Sequence, residues 1–479
     1  MNVIEDLLER YPASKPALLA IDREGGRRVW HFGELVAMSA GLSGAFAARG
    51  VERGDAVMTL AGNRIEWILS MLACWRMGAV ALPCNTQLRR RDLELRVATA
   101  NPRLCVGEEA LLGELPGGVE AMTIAEVAAA LDEDRPQQTP VEKARLEPGD
   151  PALIVFTSGT TGEPRAALHA QRYLPGQRAQ AEHWLGARDG ELVWCTTATG
   201  WSKSARNVFL APWLCGAAAM IVDGRFEPEQ RLELIEREGV AVVCQAPTEY
   251  RTLAKRTELR PLTTVRRMVS AGEPLNPEVI ATWRAATGIE IADGYGQTET
   301  GHLVGNHVGA EVRDGSMGKP LPGLDLRLRD GILELRAASC PTFFTRYLDG
   351  APFDGEWWST GDAVREDGDG YLWYEGRDDD LIVSAGYRIG PFEVESALLT
   401  HPAVAEVAAV SAPDPERGSV VRAIVVARDR EPSEELAREL QEHAKAITAP
   451  YKYPRLVEFV DELPRTASGK VKRSELRGG

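Results

Sequence analysis

Up to about residue 325, short apolar runs alternate with amphipathic stretches of helical length. Buried β-strands are predicted by the runs AVMTLAG from Ala56, ALIVFT from Ala152, GVAVVCQA from Gly239 and RRMVSAG from Arg266, and a helix is predicted by IEWILSMLACWRMGAV from Ile65. Strands that are apolar at successive positions are typical of sheets covered on both faces. The pattern therefore predicts an α/β fold with largely parallel sheets.

The pattern changes in the C-terminal third of the chain. The segments LDLRLRDGILELR and DGDGYLWYEGRDDDLIVSAGYRIG alternate in polarity and carry closely spaced Gly and Asp, which predicts hairpins and a small antiparallel subdomain. Beyond them, FEVESALLTHPAV and PSEELARELQEHAKAI predict helices, and VAEVAAVSA and VVRAIVVA predict strands. This order favours a separate small α+β domain.

Composition and charge narrow the class of protein. The 479 residues include 55 Lys and Arg against 70 Asp and Glu, a formal net charge of −15 that disfavours nucleic-acid and anionic-membrane partners. The seven cysteines are scattered without a CxxC pair, which indicates reduced thiols in a cytoplasmic protein. The acidic N-terminus is not that of a signal peptide, and the most apolar run, Val208 to Val222, is short and interrupted by Pro212 and Gly216. We therefore expect no membrane span.

The strongest local motif is TSGTTGEPR, Thr157 to Arg165, directly after an apolar strand. Its glycines and hydroxyl residues make a loop whose N–H groups and hydroxyls can surround phosphate oxygens, while Arg165 supplies positive charge. A plain Ser/Thr/Gly surface turn is the alternative. The spacing of a Walker A loop is absent.

A second motif, DGYGQTETG, spans Asp293 to Gly301. Its glycines leave Tyr295 free to present a ring face to a planar ligand, Thr298 offers a hydroxyl to a phosphate, and Glu299 can bind Mg²⁺. Taken alone, the string is a turn-rich loop about as often as it is a site.

Two further clusters follow. STGD ends at Asp362, fifteen residues before Arg377, so this carboxylate could hold ribose hydroxyls while the arginine reaches the same sugar or its phosphate. On composition alone, Asp379 and Asp380 read as a solvated acidic turn. Near the chain end, LPRTASGKVKR carries Lys470, a long cation that could reach a site on another domain.

In their order and approximate spacing, the motifs of this chain resemble those of the adenylate-forming superfamily, which includes acyl-CoA synthetases, luciferases and peptide-synthetase adenylation domains. The motifs are TSGTTGEPR, AGEPL, DGYGQTETG, STGD, GRDDD, SAGYRIG and PRTASGK. The resemblance covers nearly the whole chain. TGWSKSARNVFLAPWLCGA and GYRIGPFEVESALLTHPAV look like the medium-chain acyl-CoA synthetase branch.

The resemblance implies an α/β fold with a large N-terminal domain of layered mixed or parallel sheets, flanking helices and a small β-subdomain, plus a small mobile α+β C-terminal domain. Residues 1–378 would bind ATP and the acid, and residues 379–479 would form a lid that rotates about Asp379, with Asp380 the neighbour most easily confused with it. The implied reaction joins a medium-chain fatty or aryl acid to AMP with release of pyrophosphate. Coenzyme A then displaces AMP, so ATP, Mg²⁺ and coenzyme A are the implied cofactors.

The same resemblance implies a set of nucleotide-binding residues: Thr157, Ser158, Gly159, Thr160, Thr161, Gly162 and Arg165 at the β- and γ-phosphates, Gly272, Glu273 and Pro274 beside the adenine, Tyr295 stacked on it, Asp293, Gly294, Gly296 and Gln297 around it, and Asp362 at the ribose. The implied catalytic residues are Lys470, Glu299, Thr298 and Arg377, with Glu299 holding the metal. Gly386 and Arg388 would line the approach of coenzyme A. Arg165 stands where the family typically has lysine.

The substrate is implied less directly. Acetate-specific relatives carry a bulky aromatic at the position of Gly296, so this chain should have an open acyl tunnel, with Trp201 in its wall. For Lys203 we favour a helix-surface position over contact with a second substrate carboxylate.

Two other functions stay open at this stage. One is a ligase that passes the acyl group to a carrier-protein pantetheine, although no carrier domain is appended. The other is a non-catalytic nucleotide-binding scaffold, which is weakened because Glu299, Asp362, Arg377 and Lys470 are all present.

Overall fold

The computed structural model describes residues 1–131, 139–157, 163–273, 275–384, 387–415, 417–465 and 471–477. The strands are β1 (Pro16–Ile21), β2 (Arg27–His31), β3 (Ala56–Leu60), β4 (Val80–Pro83), β5 (Leu104–Gly107), β6 (Glu120–Thr123), β7 (Pro151–Phe156), β8 (Ala166–Ala170), β9 (Leu192–Cys195), β10 (Ala218–Val222), β11 (Val242–Gln245), β12 (Arg267–Ala271), β13 (Ile291–Gln297), β14 (Gly301–Gly305), β15 (Lys319–Pro320), β16 (Leu326–Arg329), β17 (Ile332–Arg336), β18 (Arg346–Tyr347), β19 (Trp357–Glu366), β20 (Leu372–Arg377), β21 (Ile382–Ser384), β22 (Tyr387–Ile389), β23 (Val404–Asp414), β24 (Gly418–Ala427) and β25 (Leu456–Phe459).

The α-helices are α1 (Phe32–Ala48), α2 (Ile65–Met77), α3 (Arg90–Ala100), α4 (Glu109–Leu112), α5 (Ile124–Ala130), α6 (Tyr173–Gly176), α7 (Arg178–Gln180), α8 (Ser202–Asn207), α9 (Leu210–Leu214), α10 (Pro228–Arg237), α11 (Pro247–Arg256), α12 (Pro277–Thr287), α13 (Pro391–Leu399), α14 (Glu434–Ile447) and α15 (Arg473–Leu476). Short π-helical turns cover Ile4–Leu8 and Ala181–Leu185, and 3₁₀ turns cover Ala337–Ser339, Asp378–Asp380 and Pro450–Lys452.

Local sequence explains where the helices begin and end. At α12 the Asn276 side chain accepts a hydrogen bond from the Glu278 N–H, and Pro277 occupies the first turn, where its missing N–H costs nothing. The helix ends at Gly288, whose φ of 73° suits glycine. No helix in the described ranges combines the length and the apolar character that crossing a bilayer requires.

Two large sheets form the bulk of the N-terminal part. One has the strand order β15-β14-β13-β12-β11-β9-β10-β1-β2, and the other has the order β18-β8-β7-β4-β3-β5-β6. Both are parallel through their centres, whereas β2, β14, β15, β8 and β18 pair antiparallel at the edges. The predicted layered arrangement of mixed and parallel sheets is confirmed.

Both faces of these sheets are buried, which explains their continuously apolar strands. In β9, Val193 and Cys195 point into the central core that also contains Trp67 of α2, so helices pack between the two sheets. Trp194 points the other way and packs in an outer core with Tyr250 of α11. Helices therefore cover the outer face of the larger sheet as well.

The C-terminal third contains the predicted antiparallel hairpins and the predicted small α+β unit. Strands β16, β17, β19 and β20 form an antiparallel sheet. The last segment has its own core, in which Val394 and Leu398 of α13 and Leu440 of α14 pack against Val407 and Val425 of the sheet β23-β24-β25. The predicted small α+β unit is therefore present.

Candidate functional site

One cavity of about 2120 Å³ lies at the carboxyl ends of the parallel strands. Thr157 follows β7, Thr196 follows β9, Ala246 follows β11 and Gly272 follows β12, and all four line it. This edge is where ligands bind in open α/β sheets, because the loops that follow neighbouring strands meet there.

Most of the predicted site residues that the structure describes line this cavity: Thr157, Arg165, Trp201, Lys203, Gly272, Glu273, Asp293, Gly294, Tyr295, Gly296, Gln297, Thr298, Glu299, Asp362 and Arg377. Asp379, the predicted hinge, is not among the residues that line it, whereas its neighbour Asp380 is. Motifs that are far apart in the sequence thus meet at one place. Other predicted site residues lie outside the described part of the chain: Ser158, Gly159, Thr160, Thr161, Gly162, Pro274, Gly386, Lys470 and the side chain of Arg388.

Asp362 is the centre of the best-organised group in the cavity. It is directly opposite Arg377 in the β19–β20 register, and its Oδ1 lies 3.3 Å from the Arg377 guanidinium. Its Oδ2 accepts hydrogen bonds from the Tyr295 hydroxyl and, at 2.7 Å, from Gln297 Nε2. The antiparallel hairpin therefore explains why a fifteen-residue separation brings Asp362 and Arg377 together.

The Asp362 carboxyl is only 4% exposed, and burial raises its pKa despite the opposing effect of Arg377. A raised pKa in spite of these hydrogen bonds means that the carboxylate is incompletely compensated for the water it has lost. Hydroxyl donors of a ligand would complete its coordination.

Glu299, Tyr347 and Arg165 form a second connected group. The Tyr347 hydroxyl donates to Glu299 Oε1 at 2.6 Å, and burial raises the pKa of that tyrosine. The Arg165 guanidinium lies 3.6 Å above the Tyr347 ring and donates to Asp349 at 3.1 Å. Arg165 is therefore held beside Glu299 by stacking, which the planar guanidinium allows better than a lysine would.

Glu273 lines the cavity with its carboxylate already engaged. Thr248 donates to Oε1 at 2.5 Å and Arg251 donates to Oε2 at 3.0 Å. The preceding Gly272 has φ of 111°, a conformation that favours glycine. This turn presents backbone to the cavity.

Asp293 lies deep in the wall of the cavity. Its Oδ1 has no hydrogen-bond partner among the residues that the structure describes, and burial raises the pKa of the carboxyl group to about 8. The carboxyl group is therefore mostly neutral at pH 7, although the charge of Lys203 acts in the opposite direction.

This burial predicts a pH-dependent difference between wild type and Asp293→Asn. The folded protein keeps the Asp293 proton up to about pH 8, whereas the unfolded chain releases it near pH 4. Raising the pH across that interval therefore destabilises wild type but not the amide variant at this position. The melting temperature of Asp293→Asn should exceed that of wild type by a gap that widens between those two pH values and then stops widening. A constant gap in thermal melts would contradict the assigned protonation.

The predicted surface position of Lys203 is wrong. The side chain is buried, and Nζ donates to the carbonyls of Gln245 at 2.8 Å and Ala271 at 3.1 Å, the last residues of β11 and β12. It lies beside the loop of Trp201, which lines the cavity. Strand-end carbonyls that converge on this point hold the ammonium inside.

Lys203→Met should therefore destabilise the protein. Two carbonyls lose a charged donor, which we expect to lower the free energy of unfolding by about 3 kcal/mol. Urea unfolding at neutral pH measures this loss. Lys255→Met is the matched control, because Lys255 also lines the cavity but, within the described ranges, makes one long hydrogen bond, 3.5 Å to the Ala405 carbonyl. Equal small losses in both variants would contradict a bracing role for Lys203.

Gly296 lines the cavity and is also constrained by the neighbouring strand. A Cβ at this position would lie 2.0 Å from the carbonyl oxygen of Gly301 and 2.8 Å from Cα of His302, in the neighbouring strand β14. No side chain fits without displacing backbone. The close approach of the two strands therefore favours glycine in this chain, and the open acyl tunnel stays a prediction.

Several lining residues were absent from the sequence-based set. Tyr347, Thr248, Arg251 and Arg206 all face the cavity. Tyr347 lies on a short edge strand in a segment without a motif, and Arg206 lies one turn after Lys203 on α8. The sequence signal was two cations, Lys203 and Arg206, three residues apart and just before the apolar run that begins at Val208.

Several known proteins are similar to this chain in both sequence and fold. Residues 4–339 match the family described as AMP-binding enzyme, and residues 393–470 match its C-terminal domain. The chain is 37% identical to the uncharacterized acyl-CoA ligase YtcI of Bacillus subtilis, over 99% of this chain and 95% of that protein. It is 38% identical to the mitochondrial acyl-coenzyme A synthetase ACSM3 of Mus musculus, over 99% and 90%.

The fold is similar to the crystal structure of the anthranilate CoA ligase AuaEII in complex with anthranoyl-AMP. The TM-score is 0.88 and the identity 30%, and the match covers 100% of this chain and 97% of that one. These matches span both parts of the chain and agree with the motifs gathered around the cavity. The chain therefore belongs to the AMP-binding enzymes of the adenylate-forming superfamily, on the acyl-CoA synthetase branch.

Proposed function

We propose that this protein is an ATP-dependent acyl-CoA synthetase that forms acyl-AMP and then acyl-CoA. A carboxylate oxygen of the acid attacks the α-phosphorus of ATP, and the bond to the leaving pyrophosphate breaks. The thiolate of coenzyme A then attacks the acyl carbonyl, and AMP leaves with its phosphate oxygen. The observation that carries the proposal is the Asp362 group, a nucleoside-sized polar site inside a cavity large enough for three substrates.

In this proposal Asp362 accepts hydrogen bonds from the ribose hydroxyls. Its buried, incompletely compensated carboxylate supports that role, since two hydroxyl donors would replace the lost water. Arg377 contacts the same nucleotide while it holds Asp362 in place. Tyr295 is fixed by its hydroxyl, which leaves its ring to pack on the adenine.

Negative charge builds on the phosphates as pyrophosphate leaves. Arg165 and Thr157 are proposed to bind the terminal phosphates together with residues 158–162, and Thr298, which also lines the cavity, to donate to a phosphate. The Arg165 N–H donates to the Thr157 hydroxyl at 3.0 Å, so the two described residues on either side of 158–162 are held together.

Glu299 is the proposed ligand of Mg²⁺. Oε1 accepts from Tyr347, and Oε2 has no hydrogen bond among the described residues. No three His, Cys, Asp or Glu side chains converge on a metal-sized position in the described ranges. A single carboxylate fits Mg²⁺, which usually takes one or two protein carboxylates and completes its shell with phosphate oxygens and water. The bound ion would neutralise triphosphate charge.

Lys470, Gly386 and Arg388 belong to the proposal through the family resemblance. Lys470 would bridge the α-phosphate and the acid during adenylation, and Gly386 and Arg388 would line the approach of coenzyme A. Arg465 and Val471 lie on either side of the segment that contains Lys470, and both line the cavity. Their position supports delivery of Lys470 from the C-terminal part.

The division into residues 1–378 and a lid of residues 379–479 is part of the same proposal. The separate core of α13, α14 and the last sheet supports a unit that can rotate as a body. Cytoplasmic location is also proposed, supported by seven free cysteines, which suit a reducing compartment.

The acid is proposed to be a medium-chain fatty or aryl acid, supported by the relatives named for acyl and anthranilate substrates. A panel of such acids should release pyrophosphate only when ATP and acid are both present. Thioester and AMP should accumulate only when coenzyme A is added. Product formation only with a pantetheine-bearing carrier protein would replace coenzyme A as acceptor, and ATP binding without pyrophosphate release would indicate a non-catalytic scaffold.

A further inference from the structure

Arg206 is a buried cation in the wall of the substrate cavity. The residue is 5% exposed, and it lines the same cavity as Tyr295 and Asp362. Its Nη1 donates to the Ser202 hydroxyl at 3.0 Å, and its buried Nε has no partner. Within the described residues, no carboxylate forms an ion pair with it. A buried guanidinium without a counter-ion is costly, so its retention calls for an anion.

The neighbouring charged groups do not supply that anion. Lys203, one turn earlier on α8, is a second cation whose two hydrogen bonds go to neutral carbonyls. Asp293 is mostly protonated, since burial raises its pKa to about 8. This wall of the cavity therefore has two cations and a carboxyl group that offsets little of their charge.

The groups behind Arg206 are polar but uncharged. Burial lowers the pKa of His169 to about 3 and lowers that of His302 well below its usual value, and the Arg206 charge lowers both further. His169 and His302 are buried, and neither ring has a side-chain hydrogen-bond partner among the described residues. Nearby, Gln180 and Asn207 bond to each other but each keeps one unpartnered polar atom. None of these four side chains lines the substrate cavity, and none carries a charge that could pair with Arg206.

We propose that the acid activated by this protein carries a second carboxylate, and that Arg206 binds it while the first carboxylate reacts with ATP. The inference rests on the proposed function and names its substrate class: a dicarboxylic acid of medium length or an aryl diacid. The guanidinium has the fork geometry that matches a carboxylate, and the second anion would neutralise the charge that the protein leaves unpaired. A saturated chain ending in a methyl group would leave Arg206 desolvated against hydrocarbon.

The test compares acids that differ only at the far end. Straight-chain monocarboxylic acids, the dicarboxylic acids of equal length and their half-amides are assayed for AMP formation by wild type. We expect kcat/KM for the best diacid to exceed that of its monoacid by about 30-fold or more, with the half-amide well below the diacid. A monoacid preferred over its diacid, or a half-amide as good as the diacid, would overturn the inference.

Variants assign the preference to Arg206. Arg206→Leu should abolish the preference for the diacid, and Arg206→Lys should restore part of it. Arg172→Leu is the matched control, because Arg172 also lies near His169 but does not line the cavity. A diacid preference that survives in a folded Arg206→Leu would contradict the assignment. If that variant does not fold, the wild-type comparison still decides.

Binding without turnover separates this inference from the proposed function. Calorimetry with each acid, in the absence of ATP and coenzyme A, reports the cavity alone. Tighter binding of the diacid without any acid-dependent pyrophosphate release would support the anion site and reject the synthetase. Pyrophosphate release with every monoacid and with no diacid would support the synthetase and reject the anion site.

Discussion

Asp362→Ala should lower kcat/KM for ATP by about 10²- to 10⁴-fold, because two hydrogen bonds to a charged acceptor are lost and each contributes about 1.5–3 kcal/mol. The variant also frees Tyr295 and Arg377 from their common partner, so the adenine and phosphate contacts lose their positioning. Asp362→Asn, which keeps an acceptor but no charge, should fall between. Initial rates of pyrophosphate release at varied ATP measure the loss.

Asp369→Ala is the matched control for this experiment. Asp369 lies in the turn at the other end of the same strand pair, is exposed, and pairs with Arg313 away from the cavity. Its kinetics should stay close to wild type. If Asp362→Ala binds and uses ATP within about threefold of wild type while remaining folded, the ribose site lies elsewhere.

The sequence predicted the elements of the fold better than their arrangement. The apolar runs that become β3, β7, β11 and β12 were recognisable because sheets buried on both faces need apolar residues at every position. The strand orders were not, since one buried parallel strand resembles another. In the nine-stranded sheet, β1 pairs with β10 across about two hundred residues, and no local pattern encodes that pairing.

In the site, too, contacts within one hairpin could be predicted from the sequence, whereas contacts between distant segments could not. Asp362 and Arg377 lie within one hairpin, so their proximity follows from local register. The orientation of Lys203 depends instead on carbonyls at the ends of two strands that are distant in sequence, which explains why a surface position was expected. Tyr347 contacts Glu299 because its short strand, β18, pairs with the edge of the seven-stranded sheet. Side-chain direction in such places is decided by tertiary packing.

If residues 379–479 rotate as a lid, as proposed, their position in this structure predicts which half-reaction a frozen hinge would preserve. Arg465 and Val471, on either side of the segment that carries Lys470, line the cavity. Tyr387 of the strand pair β21–β22, which would serve coenzyme A, is 52% exposed and stacks on Tyr451. This arrangement suits adenylation, and under the proposed alternation the thioester step would require the lid to rotate.

The contacts of the two neighbouring aspartates favour Asp379 as the pivot. Asp380 is bound to Arg477 of the C-terminal segment and lies near Arg473, so it must move with the lid. Asp379 is half-exposed, and among the described residues its carboxylate pairs with Arg377 alone, at 3.6 Å, on the nucleotide side. A change of backbone dihedral at Asp379 would break little, whereas a change at Asp380 would strain its ion pairs.

Asp379→Pro should therefore separate the two half-reactions. Asp379 lies in a 3₁₀ turn, where φ is close to the value that proline imposes, so the substitution fits the observed lid position and resists rotation away from it. ATP–pyrophosphate exchange should persist, while acyl-CoA synthesis falls by about 10²-fold or more. Asp379→Ala, which removes the carboxylate without restricting φ, should keep both activities and so serves as the control. Equal loss in both half-reactions would indicate misfolding or a catalytic role, and near-normal rates in both would move the pivot to Asp380.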